Sequence, residues 1–145
     1  MKKDTIFALS TGSGRSGLSV FRVSGRLAPQ ILETLTGITD PKARHAYRVE
    51  LTNNFDKETI DDGIAIFFPN PKSFTGEDVL EFHLHGSIAV IREMTEVLSR
   101  FTGVRIADAG EFTKRAFDNG KLDLTMVEGL ADLVNAETKE QKRQA

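Results

Sequence analysis

The sequence contains no cysteine. That excludes a disulfide scaffold, a thiolate metal site and a cysteine nucleophile, and it fits a reducing compartment. Positive charge is not in excess either. The net charge is −2 and the isoelectric point is near 5.9, whereas a nucleic-acid-binding domain typically lies above about 9. The total charge therefore gives no support for direct RNA contact by this segment. No run approaches the roughly 18 apolar residues of a transmembrane helix. The opening MKKDTIFALS has only a short apolar stretch, where a secretory signal needs roughly 7–15 residues. A cytoplasmic location is the expectation. No G-x-x-x-x-G-K-S/T pattern occurs, so the backbone cradle and lysine of a P-loop GTPase are missing from these residues. Internal repeats and low-complexity stretches are also absent.

The chain has 145 residues, 39% hydrophobic and 28% charged. Such values describe one globular domain with room for a short appendage, large enough to bury a core without metals or disulfides. Residues 5–9 read as a strand, 10–17 as a Gly/Ser loop and 18–23 (LSVFRV) as a second strand. Ser24 is placed to cap a helix over 27–35, which Gly37 would end. Residues 45–51 alternate as a strand, 53–59 form a polar turn, and the apolar run 63–68 predicts a central strand. A proline-punctuated loop over 69–76 follows. In DVLEFHLH, residues 78–85, Leu80, Phe82 and Leu84 point one way, and Val79, Glu81, His83 and His85 the other. Further helices are expected over 88–101, over 110–119, and from Thr125, as N-cap, to about Arg143; a short strand is expected at 104–106.

The chemistry-bearing residues admit more than one reading. GSGRSG, residues 12–17, fits the glycine pattern of a dinucleotide fingerprint, but a strand follows it where a helix is needed; a flexible hairpin loop explains it as well. His83 and His85 share a strand face at a spacing that can hold a metal. Further ligands are not evident beyond Glu81 on the same face, and the alternative is a polar face over a cleft or interface. Glu81 itself needs a partner if it is covered. It could pair with an Arg or Lys of this chain, or accept hydrogen bonds from the flat amidine-like edge of a heterocycle. Arg22, inside a strand, could make a structural ion pair or give its planar fork to a carboxylate or flat ring. Lys121 sits in a break between two helices, where a lysine is usually solvated. Glu111, Lys114, Arg115 and Asp118 read as the exposed face of a short helix, and Asp61 and Asp62 as a solvated turn. No self-contained catalytic set or metal site is expected.

Residues 109–125, AGEFTKRAFDNGKLDLT, continue into VEGLADL at 127–133. Together they resemble the signature PGEFT-RAF-NGKLDL-x-EA-ADLI of the tRNA-modification GTPases called MnmE or TrmE. The opening agrees: Asp4-Thr5-Ile6 with Ala8, Gly14-Arg15, and Arg22-Val23-Ser24-Gly25. So does the middle block of Phe68-Pro69, Ser73-Phe74-Thr75-Gly76-Glu77-Asp78-Val79 and His85-Gly86. The resemblance runs in order along nearly the whole chain. Departures sit in loops: Gly12-Ser13 where the family has Pro-Pro, Ala109 for a proline, and Ser87 for the second glycine of HGG.

The resemblance implies an α+β domain similar to the tetrahydrofolate-binding fold of the glycine-cleavage T protein over residues 1–120. Residues 121–145 would then begin a helical domain. It implies a homodimer that binds 5-formyl- or 5,10-methylene-tetrahydrofolate, with the cofactor contacts on Arg22, Glu81 and Lys121. The whole protein would act with the flavoprotein MnmG (GidA), placing an aminomethyl-type group on C5 of the wobble uridine of certain tRNAs. It would use GTP, magnesium and potassium at sites outside this segment. By the same resemblance the chain stops one helix into the helical domain, without the G domain or the C-terminal cysteine motif. It is then expected neither to hydrolyse GTP nor to complete the modification. A ligand-free dimerisation scaffold and a stand-alone aminomethyltransferase-like folate protein are the alternatives.

Overall fold

The computed structural model describes residues 3–10, 17–126 and 128–129. Its six strands are β1 (Thr5–Leu9), β2 (Leu18–Ser24), β3 (Tyr47–Thr52), β4 (Thr59–Phe68), β5 (Val79–His85) and β6 (Val104–Ile106). Its helices are α1 (Ala28–Thr36), α2 (Ile88–Ser99) and α3 (Glu111–Asp118). The strands form one sheet in the order β3-β4-β5-β2-β1-β6. Every pairing is antiparallel except β1 with β6. The architecture is mixed α+β, as the family resemblance implies.

The period-two pattern decides the layers. Phe7, Phe21, Val23, Leu80, Phe82, Leu84 and Ala65 are buried and join Ile31, Leu32 and Leu35 of α1 and Met94, Val97 and Leu98 of α2 in one core. Both helices thus cover the same sheet face. The opposite face carries Ala8, Val20, Arg22, Glu81, His83, Ile64 and Ile66, none of them fully buried.

Several sequence-based expectations shift. Ser24 does not cap α1; it ends β2, fully buried, with its hydroxyl 2.7 Å from both Thr75 Oγ1 and Glu77 Oε1. The N-cap is Leu27, whose N–H donates to Thr5 Oγ1 at 3.1 Å. Gly25 (φ +141°) makes that approach possible, since a Cβ there would lie 2.5 Å from the same oxygen. Gly37 ends α1 as expected. Asp61 and Asp62 belong to β4 and not to a turn. Ser87, one of the family departures, is the N-cap of α2 and accepts from Val90 N–H. Near the chain end Asp123, not Thr125, accepts the Met126 N–H at 2.8 Å; an aspartate is the stronger cap of the two. Most of the expected last helix and the 12–16 part of the glycine loop lie outside the described residues.

The largest correction concerns α3. Arg115 is not on an exposed face: its side chain is 5% exposed. Nη1 reaches Glu77 Oε1 at 3.0 Å and Nη2 reaches Glu111 Oε2 at 3.3 Å. Glu111 is in turn gripped by Arg105 through both oxygens, at 2.8 and 2.6 Å, and Arg105 also reaches Asp4. Charge-assisted pairs of this kind are shorter and stronger than neutral ones. Opposed charges on α3, β6 and the 73–78 loop let a helix of low apolar content dock without a wide hydrophobic stripe. The Arg105 hydrogen bonds, outweighing the cost of burial, hold the Glu111 carboxyl down at about 2, and the same pair raises Arg105.

Two outcomes follow from this chain of charges. Arg115→Met leaves the part-buried Glu77 carboxylate without its cation while Glu111 keeps Arg105, and urea unfolding should register a loss of up to about 3 kcal/mol. The Glu111 pair should also make stability depend on pH. Its folded value lies below the ordinary 4.5, so the unfolded chain takes up the proton first. The stabilisation is complete above about pH 4.5 and is lost as pH falls through about 2. The thermal-stability advantage of wild type over Glu111→Gln should shrink across that window; an advantage constant through it contradicts the assignment.

Candidate functional site

Antiparallel pairing of β2 with β5 sets Arg22 directly opposite Glu81 and Val20 opposite His83. Because side chains alternate, Glu81 and His83 emerge on the same open face as Arg22. The arginine fork closes on one carboxylate oxygen: Nε and Nη2 lie 3.1 and 2.9 Å from Glu81 Oε2. His83 Nε2 takes the other oxygen, Oε1, at 2.9 Å. An ionised carboxylate only accepts, so Nε2 carries the hydrogen of this bond. The Glu81 side chain is 15% exposed, and Arg22 and His83 are each 30% exposed. Glu81 therefore finds its partner within the chain, one of the two readings its position allows.

Arg22 also lies over the Phe74 ring, 5.6 Å from its centroid, within reach of a cation–π contact. Phe74 is a substantially exposed aromatic in the loop between β4 and β5. The same loop reaches Lys121. Gly76 (φ +82°) packs so closely on the turn after α3 that an added Cβ would lie 2.9 Å from Asn119 Cβ and 3.4 Å from Lys121 Cε. Asn119 Nδ2 donates to Thr75 O at 2.7 Å, and Lys121 N–H donates to Ala116 O at 2.8 Å. The structure thus joins Arg22 and Glu81 in direct contact. It ties Lys121, which is exposed, to them through the 73–78 loop, with no direct bond among the described residues.

The two histidines part company. His85 Nδ1 lies 2.8 Å from Asp61 Oδ1, and His85 N–H donates to Asp61 Oδ2. Each imidazole is thus held by a different carboxylate, and no three metal-ligating side chains converge among the described residues. Clefts among the described residues lie elsewhere. One of about 700 Å³ lies between Lys3, Asp4, Arg105 and α3; another of about 560 Å³ lies between Phe55 and α2. Neither includes Arg22, Glu81 or Lys121. Sequence reasoning passes over Phe74, which sits in a loop with no periodicity to flag it. His83 reads in the sequence as a metal ligand or as part of a polar face over a cleft or interface, not as a hydrogen-bond partner of Glu81, although the alternation of EFH already puts both on one face.

No helix among the described residues is long and apolar enough to cross a membrane. The family model for the GTP-binding protein TrmE N-terminus matches residues 5–121, from β1 to Lys121. The tRNA modification GTPase MnmE of Parvibaculum lavamentivorans is 52% identical over 142 residues, covering 98% of this chain and 32% of that protein. The protein of the same name from Brucella anthropi is 52% identical over 143 residues, covering 99% and 32%. A human relative, the mitochondrial 5-taurinomethyluridine-[tRNA] synthase subunit GTPB3, is 52% identical over 142 residues, covering 97% and 29%. The chain spans about a third of the length of these relatives. With a match that takes in every strand and helix described above, the chain belongs to the family of the GTP-binding protein TrmE N-terminus.

Proposed function

We propose that this chain is the folate-holding, dimerising segment of a tRNA-modifying GTPase. The observation that carries the reading is the Arg22–Glu81 pair on the open sheet face, beside an exposed Phe74 and the loop that leads to Lys121. A pterin presents a flat edge of N–H donors next to a carbonyl. Glu81 supplies acceptors for those donors, Arg22 a cation for the carbonyl, and Phe74 and the neighbouring Ile66 and Val20 an apolar surface for the ring. Among the described residues Arg22 Nη1 makes no hydrogen bond, which leaves a donor for the ligand. Lys121, exposed and without an ion pair among the described residues, suits the carboxylates of a glutamate tail. The donor and acceptor set therefore fits a reduced folate such as 5-formyl- or 5,10-methylene-tetrahydrofolate, which would supply a one-carbon unit. A likeness to the T-protein folate domain is part of the same reading.

A small ligand generally buries roughly 70–90% of its surface in its site, yet the face around Glu81 is open. A second copy of the domain set against this face supplies the missing wall, and the half-exposed Ile64 is placed to meet it. The names of the relatives support GTP hydrolysis and tRNA modification by the longer protein, and one of them names a 5-taurinomethyluridine product; a cytoplasmic setting, the wobble position and the flavoprotein partner MnmG are part of the same proposal. The 145 residues hold no P-loop pattern, so GTP, magnesium and potassium are assigned to parts outside them.

Titration with 5-formyltetrahydrofolate tests the site. Hydrogen bonds to a charged group contribute about 1.5–3 kcal/mol, so Glu81→Gln should weaken binding about 10- to 100-fold. Unchanged affinity would remove Glu81 from the site. Light scattering tests the wall: Ile64→Asp should give a folded monomer where wild type is a dimer, and a wild-type monomer at high concentration would refute the dimer.

A further inference from the structure

We infer that His83 is a positioning residue for Glu81, fixing the plane in which that carboxylate meets its ligand. The inference rests on the folate reading above and adds to it a residue that neither the family resemblance nor the comparisons single out. Glu81 has acceptor capacity for about four hydrogen bonds, two on each oxygen. Arg22 fills both positions on Oε2 and His83 fills one on Oε1. One position remains, on Oε1. A flat donor edge that binds in two-point fashion needs one position on each oxygen, so Arg22 must release either its Nε or its Nη2 contact. While the fork shifts, Arg22 no longer fixes the rotation of the carboxylate about its last bond. His83 does, because it approaches from the same strand, two residues along, and holds the oxygen that Arg22 does not touch. It also keeps a hydrogen-bond donor on the charged group throughout the exchange.

His85 serves as the internal control. It has the same side chain at the next position of the same face, but its partner is Asp61.

Variants at residue 83 separate this role from a structural one, with 5-formyltetrahydrofolate as the probe and the whole chain as the protein. A glutamine carries its amide nitrogen the same number of bonds from Cβ as the imidazole Nε2, and an asparagine one bond fewer. Holding a rotamer-rich side chain in its bound geometry is worth about three- to tenfold in affinity. His83→Ala and His83→Asn should therefore weaken binding about three- to tenfold, His83→Gln should restore it, and His85→Gln should leave it unchanged. All four should keep the wild-type melting temperature to within a few degrees. Wild-type affinity in His83→Ala overturns the inference. So does a His83→Gln protein as weak as His83→Ala, since the imidazole would then act by something other than its Nε2 hydrogen bond. A failure of the underlying reading looks different: wild type takes up no folate, or Glu81→Gln binds as wild type does.

Discussion

Seven consecutive residue pairs join β2 to β5, from Leu18 opposite His85 to Ser24 opposite Val79, and the other elements take their places around that ladder. It lies in the interior of the sheet, with β4 on one side and β1 on the other. A slip of one residue would carry Phe21 or Phe82, both fully buried, to the open face and drive Arg22 or Glu81 toward the core, according to which strand moves. Two buried phenylalanines on one side and an ion pair on the other thus enforce the same register from opposite faces. The site is a by-product of the pairing that holds the sheet together, which is why its two central residues meet without help from any loop.

A second constraint extends the site beyond the sheet. Glu77 closes the loop between β4 and β5 and receives both Ser24 from β2 and Arg115 from α3. Through it the sheet, the loop bearing Phe74 and the turn bearing Lys121 become one unit. α3 has little apolar surface to offer; only Arg115 and Ala116 of its eight residues are buried. Its position is set by charge geometry, and a network of this kind is directional where a hydrophobic contact is not. Lys121 lies three residues past the end of α3, with its N–H bonded to Ala116 O, so the helix decides where that lysine can reach.

The strands are largely legible in the sequence because burial on one face imposes alternation. DVLEFHLH declares its two faces by its period alone, and the helix over Ile31, Leu32 and Leu35 follows from spacing and from Gly37. What the sequence does not declare is pairing across distance. Ser24 looks like a cap because it precedes a helix; only the fold brings Thr75 and Glu77 to its hydroxyl and Thr5 to the helix N-terminus. Arg115 looks like one of four surface charges because the carboxylate that covers it, Glu77, comes from a loop 38 residues away, beyond what helix spacing can show. Asp61 and Asp62 look like a turn because strands seldom hold adjacent aspartates, whereas β4 continues through them and Asp61 is satisfied by His85. The identity of Arg22 and Glu81 as partners is open in the sequence for the same reason: the strand pattern gives each a face, and only the register makes them neighbours.

The internal pairing of Glu81 bears directly on how a ligand could use it. A fully paired carboxylate is a poor acceptor for a newcomer if the newcomer must displace its partner outright, because breaking a covered ion pair leaves a charge uncompensated. Here the displacement is partial. Arg22 holds one oxygen with two N–H groups, and the loss of either leaves the guanidinium still bonded and still neutralising the charge. Its planar fork rests on Phe74, so the ring can guide a small slide of the guanidinium along its face. The freed N–H and Nη1, which makes no hydrogen bond among the described residues, are then donors available to a carbonyl beside the donor edge. On this account the Arg22–Glu81 pair is a preformed hinge: tight enough to keep two charges stable on an open sheet face, and redundant enough to give up one bond to a ligand that returns at least one in its place.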